Sequence, residues 1–175
     1  MATERLILRE MTQEDVPALF LLDSEEAVFR YLPGRPVQQP EDTAEIVRYI
    51  QAQYTRNNTG RLAVELKSTG EVIGWCGIKF VDDNKTNGRL HYYDLGYRFR
   101  SAFWGKGYAS EAAAPCIRFA FDELKLQLLH ATVMQGNEGS ARVLAKHGFQ
   151  LQEHFLENEQ PWCWYTLTRD RKPIV

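Results

Sequence analysis

The sequence has few cysteines, almost no net charge and no long apolar run. Its three cysteines, Cys76, Cys116 and Cys163, lie far apart without metal-ligand spacing, so we expect buried, reduced thiols and no metal site. A formal net charge of −2 excludes the strongly basic surface that binds nucleic acid. No apolar segment approaches the roughly 20 residues of a membrane span, and the first residues lack a signal-peptide pattern. These absences predict a cytoplasmic protein that partners neither nucleic acid nor membrane.

The length and the hydrophobic spacing predict one domain of mixed structure. The 175 residues suit a single domain, and no linker or repeat divides the range 1–175. Alternating segments predict strands, and segments with apolar residues three or four apart predict helices. The predicted strands cover residues 6–10, 62–66, 72–81, 90–99, 128–133, 149–155 and 162–167. The predicted helices cover residues 14–23, 25–31, 42–54, 112–124 and 140–147.

A glycine-containing loop lies between a predicted strand and the longest apolar helix. It has the sequence Trp104-Gly105-Lys106-Gly107-Tyr108-Ala109. Glycines let backbone amides converge, and the following helix start adds unpaired N–H groups and the positive end of its dipole. Such a loop suits a pyrophosphate without a metal ion, although an ordinary strand-to-helix turn is the alternative. The P-loop pattern and the dinucleotide fingerprint are both absent, which disfavours a nucleotide hydrolase.

The element order and two motifs resemble the GNAT superfamily of N-acetyltransferases. The pyrophosphate loop of that family is Gln/Arg-x-x-Gly-x-Gly/Ala, and here Trp104 stands at its first position while Gly107 and Ala109 match. With tryptophan at that position, the loop resembles the corresponding loop of the ribosomal-protein alanine acetyltransferase branch. The segment 137–149, with Asn-x-x-Ser at its start and Gly-Phe at its end, also resembles that branch, as does Arg5-Leu6-Ile7-Leu8-Arg9.

The resemblance implies a fold and a co-substrate. The fold is of the α+β class, layered α/β/α, with a mixed, mostly antiparallel seven-stranded sheet flanked by helices and splayed between its fourth and fifth strands. The co-substrate is acetyl-CoA, with its pantetheine arm in the splay and with no metal. The implied coenzyme-binding residues are Tyr97, Phe99, Arg100, Trp104, Gly105, Lys106, Gly107, Tyr108, Ala109, Asn137 and Ser140.

The resemblance also implies direct transfer of acetyl to a primary amine. Ser140 is the implied acid or hydrogen-bond donor for the leaving thiolate, and a helix N-cap is its alternative role. Asp94 is a candidate general base because the branch often has Glu at this place, and Glu153 is a second candidate. Asp94 also fits a solvated strand carboxylate or an anchor for a charge on the substrate, and Glu153 also fits an exposed strand residue.

The acceptor side is the least determined part of the site. We expect Phe29, Tyr31 and Leu32 to contribute to an acceptor pocket for a protein N-terminus or a small amine. A homodimer is compatible with the resemblance, but the sequence shows no interface. The alternative function, from another class, is a catalytically weak acyl-CoA-binding sensor or regulatory module.

Overall fold

The computed structural model describes residues 1–171, which contain seven strands and five α-helices. The strands are β1 (Leu6–Arg9), β2 (Arg61–Leu66), β3 (Glu71–Val81), β4 (Tyr92–Phe99), β5 (Leu128–Met134), β6 (Gln150–Glu157) and β7 (Gln160–Thr168). The helices are α1 (Val16–Asp23), α2 (Glu26–Phe29), α3 (Pro40–Asn57), α4 (Tyr108–Asp122) and α5 (Glu138–Lys146). Strands and helices follow one another in the order predicted from the sequence.

The strands form one sheet that opens in its middle. Its spatial order is β1-β2-β3-β4-β5-β7-β6, and every neighbouring pair is antiparallel except β4 and β5, which run parallel. The parallel contact is limited to Asp94 opposite His130. Beyond this pair, β4 continues to Phe99 and β5 to Met134 without pairing with each other. The mixed, mostly antiparallel sheet and its splay between the fourth and fifth strands are therefore confirmed.

Helices cover both faces of the sheet. On one face α4 contributes the buried residues Ala112, Ala113, Cys116, Ile117, Ala120 and Phe121. On the other face α1 and α3 contribute Leu19, Leu22, Val47 and Ile50. Because successive side chains of a strand point to opposite faces, Leu95, Tyr97 and Phe99 of β4 join the α4 layer. Arg98 instead faces α1, where it meets Asp23. The layered α/β/α arrangement is confirmed.

The start of α4 differs from the sequence prediction. The helix begins at Tyr108, four residues before the predicted start at residue 112. Gly107 is its N-cap and has φ +83°, a backbone conformation that only glycine adopts without strain. The chain therefore turns at Gly107 and enters the helix at once, which shortens the loop. The helix continues through Pro115, which is buried in it. Within residues 1–171, no helix is both long enough and apolar enough to cross a membrane.

Candidate active site

A groove of about 640 Å³ opens where β4 and β5 separate. It runs from the α2 side of the sheet to the α5 side, through the gap left by the unpaired strand ends. The residues that line it come from four segments of the chain, residues 28–32, 97–99, 103–110 and 137–146. They are Val28, Tyr31, Leu32, Tyr97, Arg98, Phe99, Phe103, Trp104, Gly105, Gly107, Tyr108, Ala109, Ser110, Asn137, Gly139, Ser140, Arg142, Val143 and Lys146.

The glycine loop supplies backbone donors to this groove. The N–H of Glu111 is the first in α4 to close a helical turn, on the carbonyl oxygen of Gly107 at 3.0 Å. The N–H groups from Gly107 to Ser110 therefore have no partner within the helix, and the positive end of the helix dipole lies beside them. The indole Nε1 of Trp104 donates to the Phe99 carbonyl oxygen at 2.7 Å and ties the loop to β4.

The loop is also attached to the segment before β1. Arg5 Nη1 donates to the Lys106 carbonyl oxygen at 3.0 Å, and Arg5 Nε donates to Glu111 Oε2 at 2.7 Å. The guanidinium lies 4.4 Å from the centre of the Tyr108 ring. Burial acts to raise the pKa of Glu111, but hydrogen bonds from Thr3 and Arg5 outweigh it and lower that pKa. Glu111 is therefore an ionised anchor for Arg5 at neutral pH.

Tyr97 and Ser140 meet across the splay. The Tyr97 hydroxyl donates to the Ser140 carbonyl oxygen at 3.0 Å and lies 2.9 Å from the Ser140 hydroxyl. Burial raises the pKa of Tyr97 well above its usual 10, so the phenol keeps its proton. The N-cap of α5 is Asn137, whose Oδ1 accepts from Ser140 N–H at 3.1 Å. The capping role considered for Ser140 thus belongs to Asn137, and the Ser140 hydroxyl faces the groove.

Asp94 of β4 forms an ion pair with Arg61 of β2, across the intervening strand β3. Arg61 of β2 donates to the Asp94 carboxylate and, at 2.8 Å, to the Asp94 carbonyl oxygen. Its guanidinium occupies the space above Gly96, where a Cβ would lie only 2.7 Å from Arg61 Cζ. Burial raises the pKa of Asp94, although the charge and hydrogen bond of Arg61 act in the opposite direction. A raised pKa makes Asp94 a better proton acceptor than an exposed aspartate.

The α2 end of the groove contains a second buried ion pair. Arg98 lines the groove and donates to Asp23 Oδ1 at 3.2 Å. Its guanidinium also packs 5.2 Å from the centre of the Trp75 ring. Burial raises the pKa of Asp23 and lowers that of Arg98, because each charge is withdrawn from water. Of the residues expected near an acceptor, Tyr31 and Leu32 line this end, whereas Phe29 packs against the Arg98 guanidinium at 5.6 Å.

Glu153 lies on β6, away from the groove lining. Its Oε1 accepts from Arg89, and from Asn87 Nδ2 at 2.7 Å. Asp94 does not line the groove either, but it is on β4, the strand that carries Tyr97 and Arg98 into it. The structure therefore places one candidate base next to the site and the other on the far strand of the sheet.

Most of the predicted coenzyme-binding residues come together in the groove. Those that line it are Tyr97, Phe99, Trp104, Gly105, Gly107, Tyr108, Ala109, Asn137 and Ser140. Arg100 and Lys106 are outside the lining. Arg100 pairs with Glu71, and the Lys106 ammonium lies 5.4 Å from the centre of the Phe103 ring.

Two basic residues of the lining were missed from the sequence. Arg142 and Lys146 lie four residues apart on α5, so they project from the same side of the helix as Gly139 and Val143. This helical spacing was the available signal. Among residues 1–171, no cluster of three or more His, Cys, Asp or Glu side chains has the arrangement of a metal site.

Comparisons with known proteins agree with this geometry. The model of the acetyltransferase (GNAT) domain family matches residues 5–150. The uncharacterized N-acetyltransferase p20 of Bacillus licheniformis is 33% identical over 148 residues, which are 85% of this chain and 80% of that protein. The crystal structure of a GNAT-family acetyltransferase from Bacillus anthracis has a TM-score of 0.80 at 26% identity, covering 97% of this chain and 98% of that one. RimL, a ribosomal alpha-N-protein acetyltransferase solved with coenzyme A, has the same fold, with a TM-score of 0.79 at 18% identity over 98% of both chains. The chain therefore belongs to the GNAT family of N-acetyltransferases.

Proposed function

We propose that this protein transfers the acetyl group of acetyl-CoA directly to a primary amine, with donor and acceptor bound together. The observation that carries the proposal is the continuity of the groove. One end has the glycine loop and the start of α4, the middle has the Tyr97 and Ser140 hydroxyls, and the other end has Tyr31, Leu32 and Arg98. A donor and an acceptor entering from opposite faces of the sheet would meet in the middle of this groove.

The donor end suits an anionic, extended molecule. Backbone N–H groups from Gly107 to Ser110 would hold the pyrophosphate, since a helix N-terminus binds anions without a metal. The unpaired end of β4 offers backbone groups to the amides of the pantetheine arm, in the manner of an added strand. Asn137 and the basic residues Arg142 and Lys146 border the same space. The thioester supplies an activated acetyl group with a thiolate as its leaving group.

The reaction makes one bond and breaks one. The amine nitrogen forms a C–N bond to the thioester carbonyl, the C–S bond breaks, and the amine gives up one proton. The thiolate of a coenzyme with a pKa near that of cysteine, about 8.5, is a weaker base than a serine alkoxide or a tyrosinate. Ser140 therefore stabilises the leaving sulfur by donating a hydrogen bond while it keeps its proton. The Tyr97 hydroxyl lies within reach of both Ser140 oxygens, and rotating its one proton from the carbonyl oxygen to Ser140 Oγ would strengthen that bond.

We propose Asp94 as the base that accepts the amine proton, through a water molecule. Its raised pKa and its position on β4 support this role. The acceptor is either a protein N-terminus or a small amine, and the apolar Val28, Tyr31 and Leu32 beside Arg98 would contact the group next to its nitrogen. The three cysteines are free thiols, which fits the cytoplasmic location expected from the sequence.

The test is release of free thiol from acetyl-CoA in the presence of a panel of polyamines, amino acids and short peptides. Turnover with at least one acceptor is expected, with binding of coenzyme A detected separately by calorimetry. Absence of coenzyme binding to folded protein would exclude the proposal. Light scattering of the same samples tests whether the protein is a homodimer.

The second candidate is an acyl-CoA-binding sensor with little turnover. One observation favours it: both candidate bases, Asp94 and Glu153, are already engaged in ion pairs, with Arg61 and Arg89. Tight coenzyme binding without thiol release for any acceptor would support the sensor over the enzyme.

A further inference from the structure

We infer that Arg5 is a positioning residue that orients the peptide unit between Lys106 and Gly107 toward the pyrophosphate of the donor. The inference rests on the proposed function, because it concerns the same loop. Arg5 is separated from Lys106 by 101 positions in the chain, yet its Nη1 donates to the Lys106 carbonyl oxygen at 3.0 Å. This is a contact between the start of the domain and the loop that borders the groove.

The bond to the carbonyl sets the direction of the neighbouring amide. The Lys106 carbonyl and the Gly107 N–H belong to one trans peptide unit, so they point in opposite directions. A carbonyl held against Arg5 therefore turns the Gly107 N–H away from Arg5. This unit rotates about ψ of Lys106 and φ of Gly107, and Gly107, at φ +83°, has no side chain to restrict the rotation on its side. An outside contact is needed to hold it in one orientation.

The guanidinium is itself fixed before it meets the loop. Glu111 Oε2 accepts from Arg5 Nε at 2.7 Å and lies 2.6 Å from Arg5 Nη2. Glu111 Oε1 accepts from the backbone N–H of Arg5 at 2.8 Å and from Thr3 Oγ1 at 2.6 Å. Nε and Nη2 thus converge on one carboxylate oxygen, and the two contacts together restrict the orientation of the guanidinium plane. Arg5 Nε and Nη2 thus bind Glu111 of α4, and Nη1 binds the loop. A lysine ammonium does not reproduce this arrangement.

The charge balance separates this role from direct phosphate binding. Glu111 is ionised, because the bonds from Thr3 and Arg5 lower its pKa against the effect of burial. The positive charge of Arg5 is therefore paired within the protein. Arg5 is also absent from the groove lining, whereas Gly107 is part of it. The expected contribution of Arg5 is geometric, through the Gly107 amide.

The test compares two donors that differ in the pyrophosphate. Acetyl-CoA and S-acetylpantetheine carry the same thioester and the same amide arm, but the second lacks the phosphates and the nucleotide. For Arg5→Lys and Arg5→Met, kcat/KM with acetyl-CoA should fall about tenfold or more, the scale of one lost hydrogen bond to a charged group. The rate with S-acetylpantetheine should stay within about twofold of the unaltered protein, since that donor does not reach the loop.

A matched control is available at the other end of β1, which directly follows Arg5. Arg9 forms a similar fork with Asp15 at 2.7 Å and with Glu65 at 3.1 Å, away from the glycine loop. Arg9→Met should lower thermal stability without changing the ratio of the two rates. If a variant at Arg5 is too unstable for kinetics, the Gly107 amide resonance of ¹⁵N-labelled Arg5→Lys, followed as coenzyme A is added, gives a second measurement. That resonance should be broadened in the free variant and should respond less to the coenzyme.

The outcomes are distinct. Equal losses with both donors, or an unchanged ratio together with an unchanged Gly107 resonance, would overturn the role of Arg5 while leaving the proposed function intact. Failure of the unaltered protein to bind coenzyme A would overturn the proposed function, and this inference with it.

Discussion

The hydroxyl of Tyr97 on β4 lies 2.9 Å from the hydroxyl of Ser140 on α5, so the two elements that flank the splay are joined at its centre. Both residues line the groove. Since Asn137 rather than Ser140 caps α5, the Ser140 hydroxyl is not used as the helix cap. In the reaction we propose, the Ser140 hydroxyl would donate its proton to a hydrogen bond with the leaving sulfur.

Replacing Ser140 with Ala should lower kcat far more than it lowers affinity for coenzyme A. The lost hydrogen bond forms with a charge that develops only as the C–S bond breaks, so we expect a fall of about tenfold to a hundredfold in kcat. Calorimetry should give a coenzyme Kd within about twofold of that of the unaltered protein. Tyr97→Phe, which leaves Ser140 in place, should cause a smaller loss. Parallel losses in kcat and in affinity would instead indicate a structural role for Ser140.

Replacing Gly107 with Ala should weaken coenzyme binding. A left-handed conformation costs a non-glycine residue about 1–2 kcal/mol, and a Cβ at Gly107 would lie 3.4 Å from Arg5 Nη2. At Gly105, with φ +72°, a Cβ would meet no atom within 4 Å, so Gly105→Ala should have a smaller effect. Gly70→Ala is the control, since Gly70 has φ +71° in a turn outside the groove and should change stability alone. Equal coenzyme affinity in all three variants would contradict the loop assignment.

The two candidate bases can be separated by their pH profiles. Asp94→Asn should lower kcat/KM by about a hundredfold, the lower end of what a general base contributes, and should remove the acidic limb of the profile. Glu153→Gln should keep that limb, because Glu153 is held on β6 by Arg89 and Asn87. Thermal melts of both variants control for loss of the ion pairs. Loss of the limb in Glu153→Gln alone would assign the base to Glu153.

Stability should fall in mild acid because of His130. Burial, with a smaller contribution from the charge of Arg89, lowers the pKa of His130 from 6.5 to about 4. Between these values the unfolded chain binds a proton that the folded chain excludes, so the free energy of unfolding decreases as the pH falls from 6.5 toward 4. Trp164 Nε1 donates to His130 Nδ1 at 3.1 Å. His130→Gln, which keeps an acceptor for this bond but cannot titrate, should show a weaker pH dependence of stability. Urea denaturation midpoints of both proteins, measured from pH 6.5 to 4, test this prediction. An identical dependence of the midpoint on pH in both proteins would refute the role of His130.

Local sequence was sufficient to predict the glycine loop and most of the residues around it. Gly107 and Tyr108 mark a turn and a helix start that depend on adjacent residues, although the helix begins four residues earlier than the apolar spacing indicated. The alternation of β4 placed Tyr97 and Phe99 on one face. These features follow from backbone preferences over a few residues.

The ion pairs of the site were beyond the reach of local patterns. Arg5 meets Glu111 across 106 positions and Arg61 meets Asp94 across 33, and neither spacing marks a partner in a single sequence. Asp94 was therefore expected as a solvated or catalytic carboxylate, whereas its buried partner changes its pKa. Arg142 and Lys146 differ, because their helical spacing was visible and only their direction toward the groove was not.

The path of Arg61 has a consequence for strand alignment. Its guanidinium reaches Asp94 by crossing β3 at Gly77, to whose carbonyl oxygen it donates at 2.6 Å, and β4 at Gly96, which stands opposite Gly77. Sliding either strand by one residue would put a side chain in this passage and carry the aspartate out of range. Arg61 therefore favours one register among β2, β3 and β4, because its hydrogen bonds form only in that alignment. Registers shifted by one residue lose these bonds, so Arg61 helps to specify how the strands beside the groove pair.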